Sequence, residues 1–382
     1  MKLVKLSLAA VVAAGAMTTF ASATPLEDAI KGVEVSGLAR YRFYHSSDAG
    51  IGYGSTDNQR NRFSGLLNIT SPVADNLKFG ISLATVNNNF ASDSASNAGN
   101  VAVNKFWFQY AINDLTIKAG KIEIPTPWTQ AGFTGTRGNG ILALYSGVEN
   151  FTFAAAYYNQ VDAMNGLWGN LFGPGSVDAL IGEEDLMAAA VIGKVGPVDL
   201  QVWMARMEHA IDYTVFGEAG FNIEGFNLKG QINYMKVTDT LDLFADDAGI
   251  YFGFEGGYKN DMFFVNLGYT KTDDDMPLHA FDGDNDGFIK FGKQLYYKTV
   301  NNPDTQVFFG NAGINYDKFG AAVGYGYADV GALSNSDMDE FYGQLTYQVA
   351  KNFGLELYYS VLSADDDLDE NDELRFQAIY NF

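Results

Sequence analysis

Residues 373–382 constrain the fold more than any other stretch. Leu374, Phe376, Ala378, Tyr380 and Phe382 share one parity, and Glu373, Arg375, Gln377 and Asn381 the other, with Ile379 the exception. A period of two describes a strand with one apolar and one wet face. Such a strand at the end of a chain leaves an unpaired edge that invites aggregation. A barrel that pairs its last strand with its first has no edge. The expected partner is the segment 33–43, which carries Val35, Ala39, Tyr41 and Phe43 on its apolar parity. That pairing puts Arg375 on the same wall as Arg40 and Arg42.

The body repeats the same unit. Segments 151–160, 226–235, 319–328, 341–349 and 353–361 alternate apolar and polar positions, and each is about long enough for a tilted strand to cross a bilayer. Tight polar turns precede most of them: Asp75-Asn76, Asn113-Asp114, Glu149-Asn150, Glu224-Gly225, Asn260-Asp261, Asp317-Lys318, Lys351-Asn352 and the stretch 194–197. Asn, Asp and Gly suit hairpin turns because they tolerate positive φ. Eight short turns require nine longer loops, placed near 46–58, 88–103, 125–140, 161–184, 207–211, 237–247, 272–304, 331–337 and 365–372. The count predicts about 18 strands, an even number as bacterial barrels require. The fold class is all-β: a transmembrane antiparallel barrel with short periplasmic turns and long extracellular loops. A soluble sandwich would bury Val, Ile and Leu, whereas these faces are rich in Tyr and Phe near the strand ends.

Lys2 and Lys5, an apolar run over 6–12 and Ala21-Ser22-Ala23 make a cleavable signal peptide over 1–23, leaving one barrel domain over 24–382. There are no cysteines, so no disulfide holds the fold. The net charge is −22, which excludes nucleic acid as a partner and favours cations in a passage.

Both ends resemble the major outer membrane porins of Campylobacter and related bacteria. The matching stretches are the first eight residues, 23–30, 33–42, Ala119-Gly120-Lys121 and 374–382, where the terminal Phe382 with Tyr380 two residues earlier looks like the signal read by the barrel-assembly machinery. The resemblance implies an outer-membrane homotrimer, among lipid and lipopolysaccharide, with a water-filled pore for ions and small hydrophilic solutes.

In a ring this wide side chains cannot fill the lumen, so the residues lining it decide what passes. Parity points Arg40, Arg42, Arg60, Arg62 and Lys118 inward. A bulge at Gly120 is expected to turn Lys121 and Glu123 inward as well, with Ile122 and Ile124 facing out. These residues make a basic ladder, which either lines a constriction or hydrogen-bonds the wall. The third long loop, 125–140, is the expected constriction loop, with Arg137 its one charge; acids opposing the ladder would come from Glu183, Glu184 and Asp185. The loop 161–184 is unusually apolar and is a second candidate to fold inward.

Asp282, Asp284 and Asp286, followed by Gly287, match the first half of an EF-hand loop. Lys293 stands where the bidentate Glu would be, so the motif reads either as a Ca²⁺ site completed by other oxygens, Asp273–Asp275 among them, or as a solvated acidic loop. No cofactor is required. His45, His209 and His279 show no spacing to a nucleophile, and no catalytic set converges, so an enzyme is not expected. The alternative to a channel is a barrel whose loops serve as an adhesin or structural surface.

Overall fold

The computed structural model describes residues 32–48, 56–85, 101–132, 135–161, 184–238, 247–274, 279–281, 285–298, 300, 302–331, 337–365 and 370–382. The predicted leader, most of the loop 161–184, Asp282 and Asp284 lie outside them.

Eighteen strands run in chain order: Glu34–Asp48 (β1), Thr56–Ala74 (β2), Leu77–Thr85 (β3), Val101–Ile112 (β4), Leu115–Glu123 (β5), Arg137–Val148 (β6), Phe151–Val161 (β7), Leu186–Val195 (β8), Val198–Met207 (β9), Ile211–Ile223 (β10), Phe226–Val237 (β11), Ala248–Lys259 (β12), Phe263–Thr272 (β13), Thr305–Tyr316 (β14), Phe319–Val330 (β15), Met338–Ala350 (β16), Phe353–Ala364 (β17) and Glu370–Asn381 (β18). Each pairs antiparallel with its chain neighbours, and β1 pairs with β18 to close the ring. Phe43 lies opposite Phe376 and Arg42 opposite Gln377, the pairing expected for the closing strand. The backbones of Gly37 and Phe382 exchange two hydrogen bonds at 2.9 and 3.1 Å, so the last residue is tied into the seam.

The short turns sit where their chemistry placed them. Asn76, Asn113, Asn150, Glu224 and Asp317 adopt positive φ between 47° and 65°, the left-handed conformation that primed hairpin turns need. The connections at the opposite end are longer, except that β9 and β10 are joined by only Glu208, His209 and Ala210.

Alternation along the strands separates two faces. On β12, Ile250, Phe252 and Phe254 are exposed on the outer wall, whereas Tyr251 between them is fully buried. The outer face carries cross-strand ring pairs, among them Tyr269–Phe308 at 4.6 Å and Phe319–Tyr347 at 4.5 Å, each worth about 0.5–1.5 kcal/mol beyond area burial. Burial inside the ring requires a different explanation, because an open lumen would leave that face wet.

Candidate functional site

Two connections supply the cover. The third loop, between β5 and β6, turns inward and buries Trp128 completely. The indole Nε1 donates to Asn233 Oδ1 on β11 at 2.8 Å, and its ring stacks on Phe281 at 5.3 Å. The second connection is the segment between β13 and β14, here called the strap. Its backbone meets the third loop where Phe281 N donates to Trp128 O at 2.9 Å. Phe288 then packs edge-on against Phe216 of β10 and Tyr251 of β12. Tyr251 Oη donates to Ile289 O at 2.8 Å, and Ile289 N donates to Gln231 Oε1 at 2.7 Å. Past this point the strap leans on the other side of its own hairpin: Phe291 stacks on Phe309 at 5.2 Å, and Leu295 is buried with Val307, Ala328 and Leu362. The interior of β9–β17 is thus covered by two loops.

The wall formed by β18, β1 and β2 carries charge instead. Arg42 and Arg62 are direct cross-strand partners, and Tyr44 lies opposite both Arg60 and Arg375. Arg40 reaches Ser64 Oγ at 3.4 Å; Arg42 donates to Gln377 Oε1 and, at 3.0 Å, to Tyr44 Oη. Cations and rings then alternate along the wall. Arg62 lies 5.2 Å from the centre of the Tyr44 ring, and Arg375 lies 5.9 Å from Tyr44 and 4.3 Å from Tyr358. Lys293 of the strap continues the series, 5.2 Å from Tyr358 and 4.8 Å from Tyr342. Each such contact contributes about 0.5–2 kcal/mol, depending on desolvation. Glu356 pairs with Arg375 at 2.7 Å, and Glu373 accepts from Tyr358. Lys118 extends the basic surface on β5, its Nζ 4.0 Å from the Trp107 ring.

The acids that oppose this arc are not those suggested by the sequence. Glu184 is bound to His209 at 2.8 Å and Asp185 accepts from Tyr157 at 2.7 Å, both at the long-loop rim; Glu183 lies outside the described residues. Glu218 instead sits on β10, halfway round the 18-strand ring from β1. It is held between two lumen-facing amides, Gln201 at 2.7 Å and Gln231. Glu255 of β12 occupies the same inner parity, opposite Lys229 of β11.

The expected bulge on β5 is absent. Gly120 has φ 129°, yet the pairing of β5 with β6 runs unbroken from Leu115 to Glu123. Simple alternation therefore keeps Ile122 and Ile124 on the inner face, 1% and 0% exposed beneath the third loop, rather than toward lipid. Lys121 falls on the parity of Phe106, its partner across β4, so it does not continue the inner ladder. Glu123 acts at the loop base: its carboxylate accepts from Gly132 N at 2.8 Å and pairs with Lys105 at 3.4 Å. Arg137 is the first residue of β6, not a loop residue, opposite Glu123 and donating to Gly132 O at 3.3 Å.

Of the acidic motif, Asp286 is described. Its carboxylate accepts from Ala131 N at 2.7 Å, which fastens the strap to the third loop. Among the described residues no group of three or more His, Asp or Glu is placed to hold a metal. The three histidines are scattered: His45 on the outward parity of β1, His209 in the β9–β10 turn, and His279 buried in the strap, its Nε2 3.8 Å from Asp273. The hydrogen bond to Glu184, with its charge, raises the pKa of His209 above 6.5.

The closed 18-strand ring resembles the fold of several solved structures. The Acinetobacter baumannii protein OccAB3 superposes with a TM-score of 0.72 at 11% identity, covering 92% of this chain and 100% of that one. A BenF-like porin from Pseudomonas fluorescens Pf-5 gives 0.72 at 11% identity, covering 92% and 98%, and Pseudomonas aeruginosa OccK8 (OprE) gives 0.71 at 11%, also covering 92% and 98%. At these identities the likeness is one of fold. No curated protein matches the sequence. The sequence pattern of the Campylobacter major outer membrane protein matches residues 1–382, the whole chain. The chain belongs to the Campylobacter major outer membrane protein family, and it forms a closed 18-strand barrel of the outer membrane.

Proposed function

We propose that the barrel passes ions and small hydrophilic solutes by passive diffusion, through the part of the lumen that the two loops leave open along β18, β1 and β2. The single observation behind this reading is the asymmetry of the interior: loops cover β9–β17, and Arg42, Arg62 and Arg375 line the wall of β18, β1 and β2 beside the cover. With Glu218 and Glu255 on the far wall, the arc sets up a field across the passage. Such a field gives cations and anions separate lanes and orients dipolar solutes. The net charge of −22 supports a cation preference overall. Planar-bilayer recording tests the reading: stable unitary conductance with a cation-selective reversal potential is expected. No conductance would sink the channel and leave the adhesin alternative.

The homotrimer and the Ca²⁺ site at Asp282, Asp284 and Asp286 belong to the same proposal. Mass measurement in detergent tests the trimer. Calcium titration of thermal stability, with and without Asp284→Ala and Asp286→Ala, tests the ion; identical curves would remove the site.

A further inference from the structure

The strap is fastened at one buried carboxylate. Glu340 points inward from β16 and is fully buried. Its Oε1 accepts from Lys293 N at 2.8 Å and from Ser360 Oγ at 2.7 Å; its Oε2 accepts from Gln294 N at 3.2 Å and Leu295 N at 2.8 Å. Three consecutive backbone amides of a loop thus converge on one side chain of the wall, at the start of a 3-10 turn, Leu295–Lys298. Oriented amides of this kind make an anion-binding concavity, and here the protein's own carboxylate fills it. Gly292 makes the approach feasible: its φ is 101°, and a Cβ there would run into Glu340 Oε2. Gln294 secures the same point through Ser360 Oγ at 2.9 Å and Asn371 O at 3.0 Å, joining the strap to β17 and β18.

What this clasp holds is Lys293. Its backbone is pinned by Glu340 while its Nζ donates to Gln344 at 2.8 Å between the Tyr342 and Tyr358 rings. The strap residue thereby becomes the last cation of the arc. Apolar packing alone would not fix its register, because Phe291 and Leu295 have non-directional partners, whereas three amides aimed at one carboxylate define a single seating.

We propose that Glu340 is a positioning residue for permeation: it seats the strap, and so sets both the bore of the passage and the place of Lys293 beside it. The inference rests on the channel reading, but one arm of its test does not. The chain has no cysteine, so a single Leu295→Cys thiol, buried when the strap is seated, reports the clasp directly. Full-length protein carrying Leu295→Cys alone, with Glu340→Ala or with Glu340→Gln is folded into vesicles, its closure verified by heat-dependent gel migration. Each is treated with a water-soluble maleimide, and the corresponding Leu295 variants are recorded in bilayers with polyethylene glycols of rising size. With Glu340 intact the thiol should stay protected. With Glu340→Ala it should label, unitary conductance should rise roughly two-fold as the passage widens, and larger glycols should enter; Glu340→Gln should lie between. A protected thiol in Glu340→Ala, with conductance and glycol cut-off as in the parent, would overturn the proposal. Silence of every variant in bilayers would count against the channel reading, while the labelling result would still decide whether Glu340 seats the strap.

Discussion

The two sides of the lumen are built from the same strands and turns yet are finished differently. On β9–β12 the inner positions are Trp203, Phe216, Gln231, Asn233 and Tyr251, and loops cover them. On β18, β1 and β2 the inner positions are Arg375, Gln377, Arg40, Arg42, Tyr44 and Arg62, which bond to one another's neighbours along the wall. Apolar and amide side chains recruit a loop because burial stabilises both partners and satisfies the loop's backbone groups. Guanidinium groups repel such a cover, since burying them unpaired is costly. On the proposed reading, the inner residues of the strands decide on which side the passage lies.

The largest expected effect separates the two sides by stability. Trp128→Ala removes a fully buried ring and takes from Asn233 Oδ1 the shorter of its two donors, so it should cost about 3–5 kcal/mol of loop-packing stability. Arg42→Ala should change unfolding by less than about 1 kcal/mol. Chemical unfolding monitored by tryptophan fluorescence compares them, and equal losses would break the contrast.

Charge gives the next contrast. Arg42→Glu with Arg62→Glu should move the reversal potential strongly toward cations, whereas Glu218→Gln should move it toward anions, each read in a salt gradient. Equal, negligible shifts would mean that the loops outside the ring govern selectivity. A smaller effect is expected from Tyr44→Leu, which removes the ring shared by Arg62 and Arg375. Loss of about 0.5–1 kcal/mol of cation–π attraction should show as increased current noise rather than a new selectivity.

The smallest effect lies at the rim. Because His209 titrates above its ordinary value when folded, its pair with Glu184 stabilises the β9–β10 turn at acid pH and loses that contribution as pH rises past the folded midpoint. The group is exposed, so the effect should be confined to that turn. An NMR titration should give a His209 midpoint above 6.5 that falls in Glu184→Gln; an unchanged midpoint would remove the pair.

Much of the barrel was legible because its determinants are local. Period-two alternation and Asn/Asp turns act over a few residues, and the closing pair followed from the parity of Leu374–Phe382 against Val35–Phe43. The dressing of the lumen was not legible, because a strand residue facing a loop and one facing lipid are both apolar. Ile122 and Ile124 showed the ambiguity: their hydrophobicity suggested lipid, and a bulge at Gly120 would have put them there, but the third loop covers them instead. The signal that would have found the strap was present. Phe281, Phe288, Ile289, Phe291 and Leu295 are too many large apolar residues for a solvated loop, though the acidic motif beside them drew the reading toward calcium. The opposing acids were missed because Glu218 and Glu255 lie in strands, and their meeting across the ring depends on closure.

The central claim is that the open passage runs along β18, β1 and β2 and not along β9–β12. Single thiols at Arg42→Cys and Asn233→Cys, challenged with a charged methanethiosulfonate during bilayer recording, test it most directly. Stepwise current block at Arg42→Cys and none at Asn233→Cys is the predicted result; block at Asn233→Cys with none at Arg42→Cys would place the passage on the opposite wall.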